Sequence, residues 1–180
     1  MPLRPWMLPI LVAASLGLQS CRPSADNPQP LTPARRIAVE DSVRRFTVAV
    51  AHDVTQEGPM AWQKYFADTP NFFMAVNGQI AFPNGQAAAH AIPEIARQFK
   101  HIELRWGDDL RLDVLTENLC AVAVSYTEVI DPQPAAESMR GTHNGYFTGL
   151  VENRNGQWQF RNAHWSESSL PSIPGPAKAP

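Results

Sequence analysis

From Ile102 to Ser166 the chain is almost all strand-length segments, and this run constrains the fold more than any other feature. Ile102-Glu103-Leu104-Arg105-Trp106 alternates apolar and charged, as a half-buried strand does. Gly107-Asp108-Asp109 breaks the alternation at an expected bulge or bend, and Leu110, Leu112 and Val114 resume it. Thr116-Glu117-Asn118 turns into the apolar run Leu119 to Ile130. A polar loop with Pro132 and Pro134 leads to a strand from about Arg140 to Asn153, the turn Arg154-Asn155-Gly156, and a last strand, Gln157 to Ser166. Strands joined by short turns pair antiparallel with their neighbours, and one face must be covered by something else.

The preceding residues supply that cover. Thr32-Pro33 is a hydroxyl cap followed by proline at the first helical position. Val39, Val43, Phe46 and Val50 then recur at helical spacing to about His52. Gly58-Pro59 opens a shorter helix carrying Met60, Trp62, Tyr65 and Phe66. Phe72 to Val76 and Gln79 to Phe82 flank Asn77-Gly78, a strong two-residue hairpin signal. Residues 86 to 100 read as helical, divided or restarted at Pro93. Helices first and a long antiparallel sheet after imply an α+β domain, with the helices on one face of a curved sheet. Such a bend leaves a cone with a pocket at its mouth.

Proline marks the domain limits. Of 17 prolines, three lie in residues 1–10, eight in 21–33 and 171–180, and only six between 34 and 170. Residues 1–20, with Arg4 ahead of the apolar run Trp6 to Leu18, read as an export signal; the run is short for a membrane span, and Pro2, Pro5 and Pro9 suit a buried helix poorly. Leu18-Gln19-Ser20-Cys21 resembles a bacterial lipoprotein signal, which implies cleavage before Cys21 and lipid attachment to its sulfur. The alternative is ordinary cleavage near Ser20 and secretion. Residues 21–33 form a Pro-rich tether, 34–168 the domain, and 169–180 a tail expected to be disordered. The expected location is the cell envelope, on the periplasmic or outer-membrane side, with membrane contact through the anchor only. A formal charge of −2 with dispersed Lys and Arg argues against a nucleic-acid partner. Two cysteines make no disulfide framework, and Cys120, inside an apolar run, reads as a core thiol.

Three stretches resemble the nuclear transport factor 2-like superfamily, in particular its SnoaL-like branch, over residues 34–167. They are the first helix through Trp62-Gln63-Lys64-Tyr65-Phe66-Ala67-Asp68 into Phe72-Phe73-Met74, the Asn77-Gly78 hairpin with an Ala-rich helix after Gly85, and Gly145-Tyr146-Phe147-Thr148-Gly149-Leu150 through Asn155-Gly156-Gln157-Trp158 to His164-Trp165-Ser166. The resemblance implies a cystatin-like cone. The superfamily holds isomerases, dehydratases, cyclases, hydrolases and binding domains, so fold does not assign function. Its steroid isomerases use an aspartate on the first strand, a tyrosine on the first helix and a second acid on the penultimate strand. Threading puts Met74, Phe46 and Gly145 at those places, which argues against that chemistry.

Taking Arg154-Asn155-Gly156 as a three-residue hairpin loop pairs Asn153 with Gln157, Gly149 with Arg161 and Gly145 with Trp165. His143, Gly145, Phe147, Gly149, Arg161, Ala163 and Trp165 then share one face, which the resemblance turns toward the cavity. Asn144, Tyr146, Thr148, Trp158, Phe160, Asn162 and His164 share the other, where Tyr146, Trp158 and Phe160 would form a homodimer patch. The expected ligand contacts are Trp62, Tyr65, Phe73, His143, Phe147, Arg161 and Trp165. His143 is the candidate acid or base, or else a hydrogen-bonded histidine at a strand end. Arg161 is a candidate anion binder, or else a partner for Glu152 or a solvent-facing group. A cationic Arg161 beside His143 would lower the histidine pKa. Trp62, Tyr65, Trp106 and Trp165 read as an aromatic wall or as plain core, and His164 as an interface residue. His52, His90, His101, His143 and His164 make no HxH or HxxxH pair, so no metal is expected, and no cofactor fingerprint occurs. The leading expectation is a lipid-anchored domain binding a small, largely apolar ligand, without a recognised catalytic set. The alternative is a cofactor-independent lyase, isomerase or cyclase with His143 as base and Arg161 stabilising negative charge.

Overall fold

The computed structural model describes residues 31–168. The expected export signal, Cys21, residues 21–30 of the expected tether and the expected C-terminal tail lie outside them. The first helix, α1, runs Pro33–Glu57, longer than its apolar spacing suggests, and Thr32 Oγ1 caps it by accepting from Arg35 N at 3.3 Å. It buries Val39, Val43, Phe46, Val50 and Val54 along one stripe. A 3-10 turn over Gly58–Ala61 leads into the short α2, Trp62–Tyr65. Strands β1 (Phe73–Val76) and β2 (Gln79–Phe82) form the expected hairpin. Helix α3 spans Gly85–Ala96 as one piece with Pro93 inside, and Asn84 Oδ1 caps it at Ala87 N, 2.8 Å away.

The other strands are β3 (Phe99–Trp106), β4 (Arg111–Thr116), β5 (Leu119–Pro132), β6 (Gly141–Arg154) and β7 (Gln157–Glu167), with a 3-10 segment over Pro134–Met139 between β5 and β6. The sheet order is β2-β1-β7-β6-β5-β3, with β4 also on β5. Strand β5 is long enough to serve two partners: β3 pairs with its Tyr126–Pro132 half and β4 with its Leu119–Ala123 half. The expected bend at Gly107-Asp108-Asp109 lies in the joint between these partners, held by Asp109 Oδ1 accepting from Ser125 N and Oγ. One pairing departs from the antiparallel expectation. Strand β1 enters from the helices rather than from a hairpin with β7, and lies parallel to it. The architecture is an α+β cone, with helices over one face of a curved, mixed, seven-stranded sheet.

The last hairpin corrects the expected register. Arg154 pairs with Gln157, so the loop has two residues, and Asn155 (φ 54°) and Gly156 (φ 85°) both take the left-handed conformation of a type I′ turn. A bulge between Leu150 and Val151 then shifts the pairing again: Val151 faces Phe160, and Leu150 faces Asn162. The extra residue is Arg161. Loop and bulge shift side-chain parity in opposite senses, so Ala163 and Trp165 stay on the inner face while Phe160 moves inward in place of Arg161. Phe160 is 0% exposed, and Trp158 lies on the same side, donating Nε1–H to Ser42 Oγ on α1 at 2.9 Å. Of the three aromatics expected to face outward, only Tyr146 remains there, in a polar groove with Ser125, Asn144 and Ser166. Cys120 is a buried free thiol, and burial pushes its pKa up to about 11.

Candidate functional site

Between the helices and the inner face of the sheet lies a cavity of about 420 Å³. Its walls are apolar: Trp62 and Phe66 from the helical entry, Met74 and Val76 from β1, Ile92 and Ile95 from α3, and Ile102, Ile130 and Trp165 from the sheet. Three ionisable residues close together in the pairing join them, with Tyr126: Glu128 on β5, His143 on β6 and Glu167 on β7. Glu128 and His143 are cross-strand partners, as are Gly145 and Glu167. Gly145 has a packing reason. A Cβ there would lie 2.0 Å from Ser166 O and 2.7 Å from Tyr126 Oη, so the missing side chain lets the Tyr126 ring cross toward β7.

Each polar group has a distinct state. His143 Nδ1 lies 2.6 Å from Glu167 Oε1 and its Nε2 lies 3.0 Å from the Met139 carbonyl. The Met139 carbonyl can only accept, so Nε2–H donates to it, and toward an ionised Glu167 the Nδ1–H donates as well, which makes the ring an imidazolium in that state. The Glu167 contact, then the Met139 contact, holds its pKa above the ordinary value. Glu128 has no hydrogen bond or ion pair among the described residues, and burial pushes its carboxyl up to about 7. The nearby His143 charge opposes that rise and Glu167 adds to it. Tyr126 is pushed up to about 12, by burial first and then by Glu128 and Glu167.

Of the expected ligand contacts, Trp62, His143 and Trp165 line the cavity. Phe147 is fully buried behind it, packed on Trp106, Phe160 and Trp165. Phe73 is 42% exposed, because the cavity side of β1 carries Met74 and Val76 instead. Tyr65 points away: its hydroxyl donates to Asp53 Oδ2 at 2.7 Å on α1. Asp53 also receives His52 and Lys64, and these three hydrogen bonds, that to His52 foremost, hold its carboxyl down at about 2. Arg161, at the bulge, is not among the cavity residues, so it neither binds an anion there nor depresses His143. The histidine pKa shifts upward, opposite to the expected direction. Trp106 is half-buried in the wall behind, its Nε1–H on Thr47 O at 2.8 Å, and His164 is exposed on the outer face. Of the threaded isomerase positions, Met74 lines the cavity and Phe46 is core.

The residues that sequence reasoning missed are Glu128 and Glu167. Glu128 was within reach of the period-two rule: Cys120, Val122, Val124 and Tyr126 are buried on one face of β5, and the next residues of that face are Glu128 and Ile130. Glu167 lies one residue past the expected end of the last strand.

No family model matches the chain, and no curated protein does either. Solved structures do. A putative scytalone dehydratase from Novosphingobium aromaticivorans superposes with a TM-score of 0.63 at 12% identity, covering 76% of this chain and 89% of its own. A nuclear transport factor 2-like superfamily protein from Salmonella enterica gives 0.61 at 11% identity, covering 80% and 99%. The fold is that of the nuclear transport factor 2-like superfamily. The hexachlorocyclohexane dehydrochlorinase LinA shares it, with a TM-score of 0.60, 12% identity and coverage of 83% and 98%. At these identities the likeness shows the nuclear transport factor 2-like fold alone, and the site must be argued from this chain's own residues.

Proposed function

We propose that the cone binds a small, largely apolar molecule whose single polar group meets Glu128. The supporting observation is the carboxyl itself: an acidic side chain without a protein partner among the described residues, facing a cavity whose other walls are mainly hydrocarbon and aromatic. A few polar groups in an apolar pocket fix a ligand's orientation. The test is calorimetric titration of para-tert-butylbenzyl alcohol into the full chain. Binding is expected, and Ile95→Trp, which fills the cavity from α3, should weaken it about tenfold or more without lowering the melting temperature. Binding that ignores Ile95→Trp, or no binding to the unaltered chain, would contradict the proposal.

The pKa of Glu128 favours a second reading. A carboxyl titrating near neutrality can both give and take a proton, so the site also suits a cofactor-independent lyase or isomerase. In that reading Glu128 replaces His143 as the acid or base. His143, fixed between Glu167 and Met139, supplies a stationary positive charge.

We further propose that the domain is exported and lipid-anchored at Cys21, on the strength of the Leu18-Gln19-Ser20-Cys21 signal and the Pro-rich tether after it. Cys21→Ala should move the protein from the membrane to the soluble fraction. A variant that stays with the membrane would contradict the anchor.

A further inference from the structure

The charges around the cavity do not balance. Among the described residues its lining includes two carboxyl groups, Glu128 and Glu167, and one histidine, with no Lys or Arg. The histidine's charge is already committed, because Nδ1–H is held by Glu167 and Nε2–H by the Met139 carbonyl. The arginine that follows Met139 is committed too: Arg140 pairs with Glu137 and Asp131. Strand β3 presents Ile102 to the cavity and pairs Leu104 with Glu128, while α3 presents Ile92 and Ile95, so neither brings a charge. With Glu128 ionised, the trio of Glu128, His143 and Glu167 carries one uncompensated negative charge. A charge withdrawn from water is costly unless it is paired, and among the described residues no cation besides the already engaged His143 lines the cavity to pair it.

We infer that the ligand is a hydrophobic amine, bound as its cation with the ammonium group against Glu128 and its hydrocarbon body in the cone. This deepens the ligand-binding reading and rests on it. An ammonium supplies both the missing charge and the donors that Glu128 lacks. The aromatic walls suit it: Trp62, Tyr126 and Trp165 all line the cavity, and aromatic rings attract an organic cation. A neutral ligand leaves the charge uncompensated or Glu128 protonated. An anionic ligand meets two acids and an imidazolium that is already engaged.

The test uses three probes of one shape on the full chain at about pH 7: para-tert-butylbenzylamine, the matching alcohol and the matching benzoate. The amine is expected to bind about 10- to 100-fold more tightly than the alcohol, with the benzoate weakest. Amine binding should also release a proton from Glu128, read as a dependence of the heat on buffer ionisation, since His143, Glu167 and Tyr126 are the other titratable groups facing it. Glu128→Gln should abolish the amine preference while the melting temperature at about pH 7 stays no lower than that of the unaltered chain, which reports an intact fold. If the alcohol or benzoate binds as tightly as the amine, or the preference survives in Glu128→Gln, the amine inference is overturned and the ligand-binding reading stands. If none of the three binds, both fall together.

Discussion

Phe160→Ala should lower unfolding stability by about 3–5 kcal/mol, the range for deleting a fully buried aromatic ring. Phe160 is 0% exposed and meets Phe46 at 5.0 Å, Phe147 at 5.1 Å and Trp62 at 6.3 Å between ring centroids, so no solvent-facing side chain can swing in to fill the space. Arg161→Ala, one position on, should cost no more than about 0.5 kcal/mol, as for a surface residue without a special role. The pair of variants tests the bulge. With a three-residue turn and no bulge, Arg161 would point inward and Phe160 outward, and the two costs would exchange. Urea unfolding of both variants reads the difference directly, with unchanged denaturant slopes as the check that two-state behaviour holds.

The second large effect is on how stability varies with pH. Burial pushes the Glu128 carboxyl up to about 7 in the folded protein, against 4.5 for an ordinary glutamate, so the folded state holds the extra proton. A raised folded-state pKa means that its contribution is fully present below about pH 4.5 and is lost as pH climbs through about 7. The shift corresponds to roughly 2–3 kcal/mol lost across that window. His143, also raised, loses its contribution in an overlapping range, so the wild-type curve alone does not separate them. The difference curve does. Glu128→Gln should be less stable than, or equal to, wild type near pH 4.5 and gain on it steadily toward pH 8, by about 2–3 kcal/mol. A flat difference curve would place Glu128 in water rather than in the cavity wall.

The fold was legible in the sequence because its elements follow strong local rules. Thr32 and Asn84 accept from unpaired backbone N–H groups at helix starts, Asn77-Gly78 supplies the left-handed turn of a tight hairpin, and β5 and β6 run over 14 residues each. The site was less legible because its geometry depends on parity carried along the last hairpin. Asn155-Gly156 makes a two-residue loop from a stretch that reads equally well as three, and the bulge at Arg161 leaves no mark in composition. Together they kept Trp165 in place but exchanged Arg161 for Phe160, and with Arg161 went the expected anion site and the expected fall in the His143 pKa. His143 itself was legible, but its partners were not. Glu167 reaches it from the end of the neighbouring strand and Met139 from the segment before β6, contacts that no spacing in the sequence encodes. Glu128 is the opposite case: simple alternation from Cys120 to Ile130 points it inward, against the usual expectation that a lone acid in an apolar strand faces water.

The state of Glu128 in the cavity carries the functional account, and carboxyl carbon NMR of selectively labelled protein measures it directly. Titrated alone, the Glu128 signal should show a midpoint near 7, well above the ordinary glutamate value, and its chemical shift should move when para-tert-butylbenzyl alcohol is added. A midpoint near 4.5 with no response to the probe would contradict both the half-buried, unpaired carboxyl and the ligand site built around it.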